Sequence, residues 1–210
     1  MNIICLDLEG VLVPEIWIDV ARRFSVDELK LTTRDIPDYD RLMRYRIGIL
    51  RKKDIRLEDI QAVICGMAPL PGALEFLNYI RQQAEVIILS DTFYQFAGPL
   101  MKKLGYPTLF CNILKTNPAG FISGYKLRQK DGKTKAVMAL RGLGFRVHAA
   151  GDSYNDLGML KAAHHGVLFR PPESILKKYR RFPVALEYDA LRKELLTFEH
   201  SSQKKPAKAG

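Results

Sequence analysis

The chain has 210 residues, 47% of them hydrophobic, enough to bury one substantial core and better suited to a single domain with an elaboration than to two independent domains. Met1–Leu6 runs straight into Asp7 and Glu9 without a basic stretch, and no apolar run reaches the roughly eighteen residues of a membrane span, so a soluble cytoplasmic protein without a secretory leader is expected. A formal net charge of +10 asks for an anionic partner, while three scattered cysteines, Cys5, Cys65 and Cys111, with no C-x-x-C pair, argue against disulfide, redox and zinc roles.

In chain order, NIICLDL (2–8) is a short apolar run that ends in acidic residues, as a buried parallel strand does when it delivers chemistry at its carboxyl end. From 14 to 69 the pattern is helical with no convincing strand, which predicts an insert placed where it can cover the strand ends. PGALEFLNYIRQQ (71–83) predicts a helix with Pro71 at its first position and Ala73, Leu74, Leu77 and Ile80 on one face. VIILS (86–90) predicts a second strand, FCNILKTNPAGFISGYKL (110–127) a hairpin about Asn-Pro-Ala-Gly, KTKAVMALRGLG (133–144) a helix closed by glycines, and FRVHAAGDS (145–153) another strand. Strands alternating with helices imply an α/β fold, a parallel sheet covered on both faces. The predicted division is a core of 1–13 and 70–200, a helical cap over 14–69, and a disordered basic tail over 201–210 that carries Lys204, Lys205 and Lys208.

Four pieces fall at strand ends or helix starts: Asp7-Leu8-Glu9-Gly10, Ser90-Asp91, Lys133, and Gly151-Asp152-Ser153-Tyr154-Asn155-Asp156. Alternation places Asp7 and Glu9 on one side, two carboxylates able to divide the work of nucleophile and proton transfer. Asp7 is ionised at neutral pH and can attack phosphorus directly, provided that cations offset the meeting of two anions. Asp7 and Asp152 offer the hard oxygen ligands that Mg²⁺ prefers, and Lys133 adds a further positive charge. The Ser90 hydroxyl and the Asn155 amide supply hydrogen bonds to phosphoryl oxygens, with Asp91 beside them, and Asp156 is placed to orient Asp152 or Lys133 from behind.

The ordered set hhhhDxE-G, hhhhS-D, a lysine opening a helix and GDxxND resembles the four signature motifs of the haloacid-dehalogenase superfamily, over about residues 3–156. The resemblance implies a Rossmann-like sheet, a cap inserted after the first motif, and an aspartyl-phosphate on Asp7. Glu15, the segment Arg46-Ile47-Gly48-Ile49-Leu50 and GDSYNDLGML (151–160) look most like the phosphoserine phosphatase group, and within it the bacterial phosphoserine:homoserine phosphotransferases. By that resemblance Glu15 meets the substrate ammonium and Arg46 its carboxylate, a pairing that a bidentate guanidinium fits. Glu9 stands where the superfamily usually has aspartate; the resemblance gives it Mg²⁺ contact through its backbone carbonyl and proton transfer to the leaving oxygen, and its longer arm implies an altered balance between water and homoserine as acceptor.

Competing readings are structural ones. Ser90 also suits a helix N-cap in SDTF, Asp152 a cap of the following helix, and Lys130 and Lys135 compete with Lys133, which is preferred for its place at the helix start. His164 and His165, being adjacent, point to different faces and suit structural roles, while Trp17, Phe24, Tyr39 and Tyr45 are expected in the cap core. The basic runs 41–53 and 177–181 are read as solvated helix faces, so neither nucleic acid nor membrane is expected as a partner. The rival functions are a phosphatase or phosphomutase for another small phosphomonoester, and a non-catalytic nucleic-acid-binding protein.

Overall fold

The computed structural model describes residues 1–32, 35–36 and 38–197. Its centre is one seven-stranded sheet with spatial order β4-β3-β2-β1-β5-β6-β7. The strands are β1 (Asn2–Leu6), β2 (Glu85–Phe93), β3 (Thr108–Thr116), β4 (Ile122–Lys126), β5 (Arg146–Gly151), β6 (His165–Phe169) and β7 (Val184–Ala185). All pairings are parallel except β3 with β4, the expected hairpin. Since β1 pairs with β2 on one side and β5 on the other, the chain reverses its direction of travel at the carboxyl end of β1, where open α/β sheets bind ligands.

Period-two alternation in β1 sorts the core into two layers. Ile4 and Leu6 pack against α4 (Ala73–Ile80), α5 (Tyr94–Lys103) and α9 (Tyr188–Leu195), while Ile3 and Cys5 face α6 (Gly132–Gly142), α7 (Leu157–Ala162) and α8 (Glu173–Lys178). Each of these aliphatic side chains is at most 4% exposed, and burial of that extent contributes about 1.5–3 kcal/mol apiece. Cys5 and Cys111 are buried in strands, and burial pushes their thiols up to about 12 and about 11, so both stay protonated at neutral pH.

Between β1 and α4 come α1 (Ile16–Phe24), a 3₁₀ turn at Asp27–Lys30, α2 (Tyr39–Lys52) and α3 (Leu57–Gly66). Asp38 caps α2 by accepting from Arg41 N at 2.8 Å, and α1 ends at Ser25 in the left-handed region, with φ 53°. Ile16, Val20, Leu50, Ile60 and Ile64 join the layer that holds Leu6 and Phe96, so these helices share one core with the sheet.

Several expectations need correction. Ser90 caps no helix: β2 continues to Phe93, α5 starts at Tyr94, and the Ser90 hydroxyl accepts from Thr92 N at 3.1 Å. The β-branched and aromatic pair Thr92-Phe93 keeps the chain extended there, with a register irregularity against β3. Pro71 lies before its helix, because Gly72 turns left-handed (φ 82°) and α4 starts at Ala73. Strands β6 and β7 lie outside the expected set, and Tyr45 is exposed rather than in the cap core. The predicted tail, 201–210, falls outside the described residues. Among those residues no helix is long and apolar enough to cross a membrane.

Candidate active site

The sheet's switch point gathers the four motif pieces. Asp7 directly follows β1, its N–H donating to Ala150 O of β5 at 3.0 Å, and its Oδ1 accepts from Leu8 N at 2.7 Å. Lys133, in the first turn of α6, is 5% exposed and donates to Asp156 Oδ1, with Asp7 Oδ1 also 2.8 Å away and Asp91 Oδ2 at 3.9 Å. Asp156 is fully buried, and its other oxygen accepts from the N–H groups of Asp152 and Ser153, each at 3.0 Å, which fixes the turn after β5. Lys130 and Lys135, its rivals in sequence, are exposed.

Two glycines make room for this. A Cβ on Gly10, at φ +76°, would stand 2.5 Å from Asp152 Cγ, and one on Gly151 would stand 2.3 Å from Asp156 Cγ. The tight turns keep the carboxylates of Asp7, Asp152 and Asp156 within 4.8 Å of one another. Burial and then Asp156 push Asp7 well above the ordinary carboxylate range against the pull of Lys133, and burial with Asp156 raises Asp152 to about 7. For Lys133, burial alone would lower the pKa; Asp156, Asp7 and Asp91 outweigh it and hold the ammonium charged. Three carboxylates against one ammonium is the charge pattern of a divalent-cation site, and the donors are the hard oxygens that Mg²⁺ takes. Asp156 spends its oxygens on Lys133 and on backbone N–H groups, which leaves Asp7 and Asp152 as the pair facing the cavity.

Glu9 behaves differently from that cluster. Its Oε2 accepts from Ile16 N at 2.8 Å, so the carboxylate turns toward the start of α1 and is absent from the three-carboxylate group. Burial and the nearby Glu15 push it up to about 8, against the Ile16 N–H, Arg46 and the Thr92 hydroxyl.

Across a cavity of about 330 Å³ stand Glu15 and Arg46. Glu15 is exposed at the N-cap position of α1 and makes no capping hydrogen bond. Arg46 is buried although its neighbours Arg44, Arg51 and Lys52 on the same basic helix are exposed. One of its terminal nitrogens donates to Leu31 O at 2.7 Å, its guanidinium lies 4.5 Å from the Trp17 ring centroid, and its Nε has no partner among the described residues. Asn155 lines the cavity too, but its amide donates to Asp91 Oδ2 at 2.9 Å.

The cavity is also lined by Thr92 and Phe93, which belong to none of the motifs, and by Trp17 and Tyr39, expected in the cap core. Tyr39 reaches Asp91 O with its hydroxyl at 3.3 Å. Its seven-residue spacing from Arg46 on α2 puts both on one face, and that spacing was the available signal. His164 and His165 lie apart, His164 Nδ1 accepting from Val147 N at 3.0 Å and His165 Nε2 lying 3.0 Å from Glu194.

Comparison with known proteins agrees with this geometry. Residues 15–161 match the haloacid dehalogenase-like hydrolase family. The chain is 52% identical over 196 residues to phosphoserine phosphatase ThrH of Pseudomonas aeruginosa, covering 93% of this chain and 96% of that one. It is 50% identical over 196 residues to a phosphoserine phosphatase of Pseudomonas syringae pv. tomato, covering 93% and 83%. A solved phosphoserine phosphatase in apo form superposes with a TM-score of 0.74 at 23% identity over 91% of this chain and 96% of that one, and carries the same fold. A fold of this order, a signature set at its switch point and relatives at half identity lead to one conclusion: the chain belongs to the haloacid dehalogenase-like hydrolase family.

Proposed function

We propose that the chain is a Mg²⁺-dependent phosphoserine phosphatase that works through an aspartyl-phosphate on Asp7 and also passes the phosphoryl group to homoserine. The observation that carries this reading is Arg46, a buried guanidinium whose Nε has no partner among the described residues, on the same cavity as Asp7 and Lys133. A buried donor without a partner calls for a ligand, and a carboxylate accepts from a guanidinium through two parallel bonds. Glu15 lies on the same cavity and suits an ammonium, so the walls fit an amino-acid phosphate. The names of the two Pseudomonas relatives favour the same substrate.

In the first step an Asp7 carboxylate oxygen forms a bond to phosphorus, the bond from phosphorus to the serine oxygen breaks, and that oxygen takes a proton from Glu9. Glu9 then accepts a proton from the attacking water or homoserine hydroxyl, whose oxygen bonds to phosphorus as the bond to Asp7 breaks. Ser90 and Lys133 hold the phosphoryl oxygens throughout, and Asp156 keeps Lys133 in place. Asp7 and Asp152, with the Glu9 backbone carbonyl, would hold Mg²⁺, which supplies positive charge to the transferring group. Segment 14–69 acts as the cap that excludes bulk water.

The test is turnover of phosphoserine with and without Mg²⁺, and with and without homoserine. Mg²⁺-dependent phosphate release, joined by phosphohomoserine when homoserine is added, is the expected result. Phosphate release alone in abundant homoserine removes the transfer half, and turnover of other phosphomonoesters in preference to phosphoserine removes the substrate.

A further inference from the structure

Arg46 and Tyr39 sit two turns apart on α2, and both line the cavity. An arc of aromatic rings joins them through the rest of the molecule. Tyr39 meets Tyr125 of β4 edge-on at 5.6 Å, Tyr125 meets Phe93 at the end of β2 at 6.1 Å, and Phe93 meets Phe96 of α5 at 5.7 Å. Phe96 meets Trp17 of α1 at 5.6 Å, and the Trp17 face carries the Arg46 guanidinium. Contacts that leave α2 at its first residue therefore return to it two turns on, at mid-helix.

The members differ in how firmly they are held. Phe93, Phe96 and Trp17 are buried, so packing on every side fixes them. Tyr125 is only half-buried, on a strand at the sheet's edge, and its hydroxyl donates to the Asp40 carboxylate in the first turn of α2. The same hairpin grips the cap a second time just beyond the other end of α2: Leu57 N donates to Gly120 O at 3.0 Å, and Arg56 lies 5.3 Å from the Phe121 centroid. The β3–β4 hairpin thus brackets the helix that carries the candidate carboxylate grip.

We propose that Tyr125 is a positioning residue, the adjustable link of this arc, which through Tyr39 and Asp40 sets how closely the α2 wall and its Arg46 stand over Asp7. The idea rests on the reading of Arg46 as the substrate's carboxylate grip. Tyr125 touches neither the floor of the cavity nor the phosphoryl site, so its loss acts on recognition of the distal end of the substrate and spares the chemistry. Ring attractions of this kind are directional, and an aliphatic side chain of similar bulk does not replace them.

Trp17, the sole tryptophan of the chain, reports on the arc without reference to any substrate. The experiment compares wild type with Tyr125→Leu and Tyr125→Phe by acrylamide quenching of Trp17, by KM and kcat for phosphoserine, and by kcat for p-nitrophenyl phosphate, which has no carboxylate to grip. For Tyr125→Leu, KM for phosphoserine should rise about tenfold, with kcat for both substrates within about twofold, and Trp17 quenching should increase about twofold. Tyr125→Phe, which keeps the ring and loses the hydroxyl, should keep KM within about threefold of wild type. Unchanged KM and unchanged quenching in Tyr125→Leu overturn the proposal, as does a parallel loss of turnover on both substrates with a lowered melting temperature. If wild type does not turn over phosphoserine, the functional reading fails by itself; quenching then decides alone, an increase supporting the arc and no change overturning it.

Discussion

Lys133 and Arg46 are both buried cations on one cavity, yet they are held in opposite ways. Lys133, in the floor, has Asp7 and Asp156 each at 2.8 Å, and Asp156 is in turn fixed by two backbone N–H groups. Among the described residues Arg46, in the wall, has one hydrogen bond, to a backbone carbonyl, and a ring face for the rest, with Nε unpaired. The floor is complete without a substrate, whereas the wall keeps donors in reserve. A pre-organised floor suits a step in which charge develops, and a wall with spare donors suits recognition of the part of the substrate that does not react.

The floor is most directly tested at Asp7. Asp7→Asn keeps the shape and removes the nucleophile, so kcat should fall by about 10³-fold or more on phosphoserine and on p-nitrophenyl phosphate alike. Substantial turnover in that variant, or failure to trap phosphate on this residue in the wild type, would remove Asp7 from the nucleophile's role. Lys133→Met comes next. It leaves Asp156 buried without its cation, which typically costs about 3–5 kcal/mol, so the melting temperature should drop sharply along with activity. A variant of wild-type stability would mean that the floor is not the self-contained network described.

That floor was legible in the sequence and the wall was only partly so, for a physical reason. Asp7, Ser90, Lys133, Asp152 and Asp156 are delivered by strand ends and a helix start, and such placement follows from local pattern plus the chain reversal of a doubly wound sheet. Gly10 and Gly151 signal the same turns, since a Cβ at either would strike a carboxylate. Tyr39, Trp17 and Thr92 become part of the cavity through contacts between segments far apart in the chain, such as Tyr39 to Asp91, 52 residues on. For Tyr39 the one local signal is its seven-residue spacing from Arg46, and Arg46 itself could be singled out from its basic helix only by resemblance. The helix cap read at Ser90 failed because a bulged strand end and a helix start share the same short polar residues.

At the wall, the comparison is sharpened by Arg46→Ala and Arg46→Lys. The alanine variant should raise KM for phosphoserine about 100-fold while leaving p-nitrophenyl phosphate nearly unaffected, and lysine should restore little, because a point charge cannot match a planar fork. Equal losses on both substrates would transfer Arg46 from recognition to the chemistry.

A pH-dependent shift of a few degrees tests the floor as a cation site. Asp152, at about 7 against an ordinary value of 3.8, holds its proton in the folded protein over a range where the unfolded chain has lost it. Its folded value is raised, so this group favours the fold most at pH below the unfolded value, and that contribution is lost as pH rises through about 7. Mg²⁺ takes the ionised carboxylate and must displace that proton, so its binding strengthens over the same window. One proton over one pH unit is about 1.4 kcal/mol, and about 2–4 °C of melting temperature accompanies each kcal/mol in a chain of this size. The rise in melting temperature on adding saturating Mg²⁺ should therefore be about 3–5 °C larger at pH 8 than at pH 6. Glu9 titrates near the same range, but its carboxylate faces Ile16 N rather than the cluster, so it contributes with and without the ion and cancels in the difference. Asp7, also raised by burial and Asp156, yields its proton to the ion as well, so Asp152→Asn should shrink the pH-dependent increment rather than remove it, and an increment that is equal at the two pH values would place the cation elsewhere.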